Sequence, residues 1–432
     1  MMNLLRGIGG KNLWKVTALV MVVGLTMSLG CQKAPTTEKT FGEDVEFLKK
    51  YHKDTIVLAD ESGQAKVVVV PAYQGRVMTS TAKGDGGTSY GWINYEHIAS
   101  QKIVDHMNAF GGEERFWLGP EGGQFSIFFK PEAKFEMDQW QTPAAIDSEP
   151  YKVVESDKTS AKFTYETKLT NYSKTEFSLK VDRTVELIDA EKAAESLGVE
   201  VKDVSFVGYR TINVLTNTGE EAWSKESGLL SIWLLGMYKP SPEMTVVIPF
   251  NKGEESELGQ IVNDTYFGKV PAERLVVEEE VLYFSADGKK RTKIGLTPQR
   301  SKEVAGSYDP TSKTLTIVKY NKPGPEVTEY VNSMWEIQEK PFAGDTVNSY
   351  NDGPNDLGET MGPFYEIETS SPALALEPGK TGKHISETYH FQGEETVLDP
   401  IAKKVFGVSI EQIKNGLKQE QPAEAKPEQE GE

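Results

Sequence analysis

Between residues 177 and 187 the chain alternates without a break. Phe177, Leu179, Val181, Arg183, Val185 and Leu187 fall on one side, and Ser178, Lys180, Asp182, Thr184 and Glu186 on the other. A period of two puts successive side chains on opposite faces of an extended backbone, so this is a strand with one face in a core and one in water. Its backbone needs neighbours, and the sequence supplies them. Strand-like runs fall at 67–70, 124–129, 163–169, 209–215, 244–248, 275–284, 291–296, 315–320, 364–369 and 385–391, and Asp287-Gly288 carries a hairpin-turn signal. Helical signals are few and short. They are Val45, Phe47, Leu48 and Tyr51 within 43–51, a segment 189–197 closed by Gly198, a start at Asp399-Pro400, and a capping-box spacing at Ser409–Gln412 opening a helix over 410–417. Many strands, short helices and no βαβ alternation predict an all-β chain, best met by a large antiparallel sandwich. No repeat at a fixed period suggests a propeller.

The N-terminal text is of another kind. Arg6, Lys11 and Lys15 precede an apolar run that ends at Gly30-Cys31, and fifteen residues separate Lys15 from the cysteine. That is short of the roughly 20 residues of a membrane span and suits a signal peptide. Ser28-Leu29-Gly30-Cys31, followed by a polar tether, resembles the bacterial lipoprotein cleavage box. The alternative is a plain secretory signal with Cys31 incidental. The expected organisation is a signal segment over 1–30, a tether over 31–40, one domain over 41–418 and a polar, disordered tail over 419–432. Lipidation at Cys31 implies a membrane anchor in the cell envelope, with the outer membrane expected and either face open. With 65 acidic residues against 47 basic ones, the net charge of -18 argues against nucleic acid as a partner. One cysteine excludes a disulfide framework.

The segment most like a site runs from Gly111 to Phe125. Five glycines there interleave with Glu113, Glu114, Arg115, Trp117 and Glu121. Glycine permits close approach or positive φ, carboxylates and arginine suit hydroxyl groups, and a tryptophan face suits a sugar ring. Two tight turns with solvated charges and Trp117 in the core explain the same text. Arg76 and Asn94 sit in neighbouring Gly- and aromatic-rich segments, Arg76 serving a ligand or a structural ion pair. Arg183 lies on the apolar side of its strand, where a charge is costly unless paired. It meets a buried carboxylate such as Glu114 or Glu368, or it lines a wet cleft, and the cleft is the expectation.

Other chemistries find no support. The histidines show no metal-ligand spacing, no DxDxDG loop occurs, and GxSxG, GxGxxG after a strand and Walker patterns are missing. No cofactor and no metal are expected.

Towards the C-terminus come Gly362-Pro363-Phe364-Tyr365-Glu366-Ile367-Glu368-Thr369-Ser370-Ser371-Pro372, then Leu376-Glu377-Pro378-Gly379, then Thr388-Tyr389-His390-Phe391. This resembles the closing strands of the galactose mutarotase-like superfamily, the aldose 1-epimerases and their relatives, and Val69-Val70-Pro71 to Gly75-Arg76-Val77-Met78 is similar to their first hairpin. With its Gly-Gly-Glu-Glu-Arg-Phe-Trp box, the chain is most similar to an envelope-lipoprotein branch. The resemblance implies a β-supersandwich with a sugar cleft. It also implies a glutamate base at Glu368, with Glu366 as its same-face alternative. The family's Thr-Asn-His element is echoed at Thr216-Asn217 without the histidine, near the strand carrying Trp233. The acid role then falls to His106, Glu113 or Glu121. The expectation is a lipoprotein that binds a mono- or oligosaccharide in a cleft lined by Arg76, Glu114, Arg115, Trp117, Arg183 and Glu368, with any catalysis being acid–base work at a sugar carbon. It requires Trp117, Arg183 and Glu368 to converge on one opening. The rivals are a non-catalytic assembly lipoprotein with a vestigial cleft, and a polysaccharide lyase or glycoside hydrolase.

Overall fold

The computed structural model describes residues 39–354 and 358–418. The expected signal segment, Cys31, most of the tether, and the tail lie outside the described residues. The last tether position, Thr40, belongs to the domain. Its side chain and that of Glu43 form a reciprocal capping box, so the first helix starts at Phe41 and spans Phe41–Tyr51.

Among the described residues, eighteen strands form three antiparallel sheets, and the all-β expectation holds. The largest sheet has ten strands, in the order Leu275–Val277, Val281–Ser285, Thr245–Pro249, Val304–Asp309, Thr314–Tyr320, Thr381–Gln392, Ser205–Asn217, Glu176–Ile188, Ser160–Thr170 and Lys152–Ser156. A second has five: Thr292–Leu296, Val347–Asn351, Tyr365–Ser370, Ser231–Tyr238 and Arg115–Gly119. Ile56–Ala59, Lys66–Val70 and Arg76–Thr81 make the third. The alternating strand behaves as its pattern demands: Phe177, Leu179, Val181, Arg183 and Val185 are buried, while Ile188 turns to the opposite side.

The ten- and five-stranded sheets pack face to face. Val246, Ile248, Leu282 and Phe284 of the large sheet meet Ile294, Leu296, Val347 and Ile367 of the small one. Polar contacts cross as well, with the Ser307 and Tyr365 hydroxyls 2.7 Å apart and Thr369 Oγ1 2.9 Å from His384 Nε2. Ala190–Leu197, Glu395–Phe406 and Ile410–Asn415 cover the outer face of the large sheet through Leu197, Leu398, Phe406 and Ile410. Two of these helices begin as their caps dictate, at Asp189 and Ser409.

Several expectations are corrected. Residues 124–129 form no strand; Phe125 stacks on Phe342 and Phe128 on Trp140, so the aromatic run serves packing between turns. The run 275–284 is two strands, because Glu278-Glu279-Glu280 turns the chain and Glu278 N–H donates to the Val281 carbonyl. Asp287-Gly288 does not close a hairpin, since the strands on either side enter different sheets. The helix expected from Asp399-Pro400 starts at Glu395 and accommodates Pro400 internally. Arg115–Gly119, in the glycine-rich box, is a strand, and Val304–Asp309 and Val347–Asn351 carry no clear alternation of their own.

Candidate functional site

Strand register gives the five-stranded sheet two different faces. Phe116, Leu118, Ile232, Leu234 and Ile367 point into the sandwich core. The alternate positions point the other way. Arg115 pairs across with Leu235, Trp117 with Trp233 and Gly119 with Ser231. Glu368 stands opposite Leu235 and Asn348, and Glu366 opposite Met237 and Tyr350. Lys293 stands beside Tyr350 on the edge strand. This second face is the floor of a cleft of about 650 Å³, walled by loops that bring Glu121, Trp140, Tyr266, Phe267, Trp335 and Asp345 around it.

Aromatic rings dominate the cleft. The Trp117 and Trp233 rings meet edge to face at 5.5 Å, and Trp140 stacks on Phe128 at 5.9 Å and on Trp335 at 6.0 Å. The charged groups are held among them. Arg115 donates to Glu366 Oε1 at 2.8 Å and lies over the Trp117 ring at 4.1 Å. Lys293 Nζ and the Trp233 indole N–H both donate to Glu368 Oε2, at 2.8 and 3.0 Å. Glu368 is wholly buried and its Oε1 has no partner. Tyr266 donates to Asp345 and accepts from Asn348 at 3.1 Å. The site is therefore apolar-walled, with polar groups fixed by ion pairs and hydrogen bonds, as small-molecule sites commonly are.

Burial shapes the acidities. It raises Glu121 to about 7, against the pull of Lys293. It holds Glu366 above the ordinary carboxylate range although Arg115 opposes the rise. Burial pulls Lys293 down, but Glu368 and Glu121 outweigh it, leaving the ammonium above its usual value.

Of the residues singled out from sequence, Arg115, Trp117, Glu121, Trp233 and Glu366 line this cleft. Glu368 lies directly beneath its floor. The others lie elsewhere. Arg183 does not line a cleft; it sits between the sheets, with Nη2 2.9 Å from Glu114 Oε1 and Nε donating to the Gly75 carbonyl at 3.1 Å. The expected convergence of Trp117, Arg183 and Glu368 therefore fails at Arg183. A buried carboxylate, Glu114, just ahead of the strand Arg115–Gly119, neutralises it, the other outcome its position allowed. Glu113 is also interior, accepting from Ser80 Oγ at 2.8 Å and lying 3.2 Å from His390 Nε2. Arg76 is buried with Nη1 donating to the Gly111 carbonyl at 3.0 Å, and burial and Arg115 lower it to about 9. Asn94 caps the helix Tyr95–Ser100, accepting from His97 N–H at 3.0 Å. His106 is exposed outside the cleft, its Nδ1 2.6 Å from the Trp140 carbonyl.

The glycine pair opening the box serves packing. Gly112 has φ +115°, and a Cβ there would stand 2.7 Å from Arg76 Cδ. Sequence reasoning missed Lys293, Arg291, Asp345, Asn348, Trp140 and Trp335. Arg291 and Lys293 alternate with Thr292, Ile294 and Leu296, which is also how a strand facing bulk water reads, so the pattern alone does not mark them. Among the described residues, no group of three or more His, Cys, Asp or Glu is placed to hold a metal ion.

Comparison with solved structures finds likenesses of low identity. The Slr1438 protein of Synechocystis sp. PCC 6803 is 13% identical with a TM-score of 0.46, over 78% of this chain and 96% of that one. A galactose mutarotase-like protein of Lactobacillus casei ATCC 334 is 10% identical with a TM-score of 0.45, over 78% and 99%. A galactose mutarotase related enzyme of Lactobacillus acidophilus is 10% identical with a TM-score of 0.42, over 78% and 97%. No protein of curated function matches the sequence. Residues 39–417 match the model of the family of unknown function DUF6786, and the chain belongs to that family.

Proposed function

We propose that the cleft on the five-stranded sheet binds a mono- or oligosaccharide, in a protein exported to the cell envelope and anchored there through a lipid on Cys31. One observation carries the carbohydrate reading: four of the chain's seven tryptophans, Trp117, Trp140, Trp233 and Trp335, surround one open cleft in which Arg115, Lys293, Tyr266 and Asn348 are held by fixed partners. Apolar ring faces suit the C–H faces of a sugar, and pre-positioned carboxylates, amide and cations suit its hydroxyls. Calorimetric titration of the protein with a panel of mono- and oligosaccharides tests it; saturable heat from at least one is expected, and none from any refutes it. The anchor is tested by palmitate labelling in a bacterial host. Label is expected in the wild-type chain and not in Cys31→Ala; equal labelling of both rejects it.

The vestigial-cleft reading expects a buried, paired Arg183, which is what stands there, but it also expects a closed pocket, and about 650 Å³ lies open. Acid–base chemistry at a sugar carbon is a second reading favoured by Glu121, which faces the cleft and shares its proton near neutral pH. Glu366 is the facing carboxylate for the base role; Glu368, sealed beneath the floor, positions Lys293. Proton NMR of a freshly dissolved pure anomer should show accelerated mutarotation that Glu121→Gln removes; an unchanged rate dismisses this reading.

A further inference from the structure

Three cations line the cleft, and two are neutralised within it. Arg115 is paired with Glu366 and Lys293 with Glu368, each at 2.8 Å. Arg291 is not. Among the described residues no carboxylate oxygen lies within 4.0 Å of it, and its Nε, though shielded from solvent, has no acceptor. Asp352 is near enough to feel the guanidinium charge, but its own oxygens accept from the Tyr350 hydroxyl at 2.7 Å and Gly362 N–H at 2.9 Å. Acids are not scarce in a chain of net charge -18. Arg76, Arg115 and Arg274 share an Nε without an acceptor, so what sets Arg291 apart from the other two cleft cations is that no carboxylate of the described residues pairs with it.

The guanidinium is also oriented. It lies over the Phe267 ring at 4.0 Å, and that ring, 47% exposed, meets Tyr350 edge-on at 5.9 Å. Stacking covers one face of the guanidinium and leaves its N–H edge for an acceptor in the same plane. Two parallel N–H groups on that edge match the two oxygens of a carboxylate.

Resting on the carbohydrate reading, we propose that the cleft selects acidic sugars: an oligosaccharide containing a uronic acid, whose carboxylate receives the terminal Nη N–H groups of Arg291 while its rings lie against the tryptophans. Neutral sugars would leave Arg291 without a partner and bind more weakly.

The test is calorimetric titration of the full chain with an oligouronate and with the same oligosaccharide after reduction of its carboxyls to hydroxymethyl groups. The oligouronate should bind at least about tenfold more tightly, with a preference that shrinks as salt rises. Arg291→Gln should abolish the preference, lowering affinity for the oligouronate to that for the reduced sugar, and an unshifted melting temperature shows that the variant is folded. Arg291→Lys, retaining charge without the fork, should restore it only in part. Equal binding of the two sugars, or a preference that survives Arg291→Gln, overturns the inference and leaves the carbohydrate reading standing. A sulfated neutral oligosaccharide bound through Arg291 when the oligouronate is not overturns the carboxylate assignment. Failure of every sugar, reduced and acidic, removes the carbohydrate reading itself.

Discussion

Replacing Lys293 by Met isolates a buried charge. The Lys293 side chain is 12% exposed and that of Glu368 is 0%, so their 2.8 Å contact is an ion pair taken almost wholly out of water. Lys293→Met keeps an unbranched apolar side chain but removes the ammonium near Trp233 and Tyr266, leaving Glu368 with one indole N–H and one orphaned oxygen. Breaking a buried pair from one side typically costs about 3–5 kcal/mol, because the remaining charge is stranded. Adding Glu368→Gln removes that charge and keeps an acceptor for Trp233. The residual cost is then about 1–3 kcal/mol for an incompletely bonded amide. Urea unfolding at neutral pH, with the dependence on denaturant compared among the variants, measures both. The double variant should be more stable than Lys293→Met alone. A single-variant cost below about 1 kcal/mol, or two substitutions whose costs simply add, would refute the stranded-charge argument.

Other consequences follow from the same geometry. Arg183→Met strands Glu114 between the sheets and should cost about 3–5 kcal/mol in urea unfolding, with sugar affinity unchanged because the pair is remote from the cleft; a selective loss of affinity would contradict that placement. Trp335→Ala removes a half-buried indole from the cleft wall and should weaken sugar binding by about 0.5–1.5 kcal/mol, two- to tenfold, with little change in melting temperature. Glu121 has a folded-state pKa raised from 4.5 to about 7, so the folded chain holds a proton there that the unfolded chain releases. Stability from this group is present below pH 4.5, falls as pH rises to about 7, and is level above, by at most about 3 kcal/mol. Glu121→Gln should flatten that fall in melting temperature, and an unaltered pH slope would rule the group out.

Much of the framework was legible because strand and cap signals are local. The Phe177–Val185 alternation, the β-branched run before Pro71, and the caps at Asp189 and Ser409 each carry their cause within a few residues. Where local text misled, a tertiary contact explains the difference. The aromatics of 124–129 read as a strand and instead pack between turns beside the cleft wall. Val347–Asn351 reads as polar and is a fully buried central strand, because its two faces meet core and cleft rather than core and bulk solvent.

Local text is enough to read an all-β chain of antiparallel strands with short capped helices. It also shows a charge on the apolar side of one strand, and a segment of glycines, acids and tryptophan with no metal or nucleotide motif. Which charges share a space emerges only when the sheets assemble. Arg183 and Glu114 are sixty-nine positions apart and meet inside the sandwich, while Arg115 reaches Glu366 over 251 positions to build the cleft. Periodicity tells which face of a strand a side chain takes, but not what lies opposite that face. Register between distant strands and the stacking of whole sheets settle that, and with it which arginine is neutralised and which is left facing the opening.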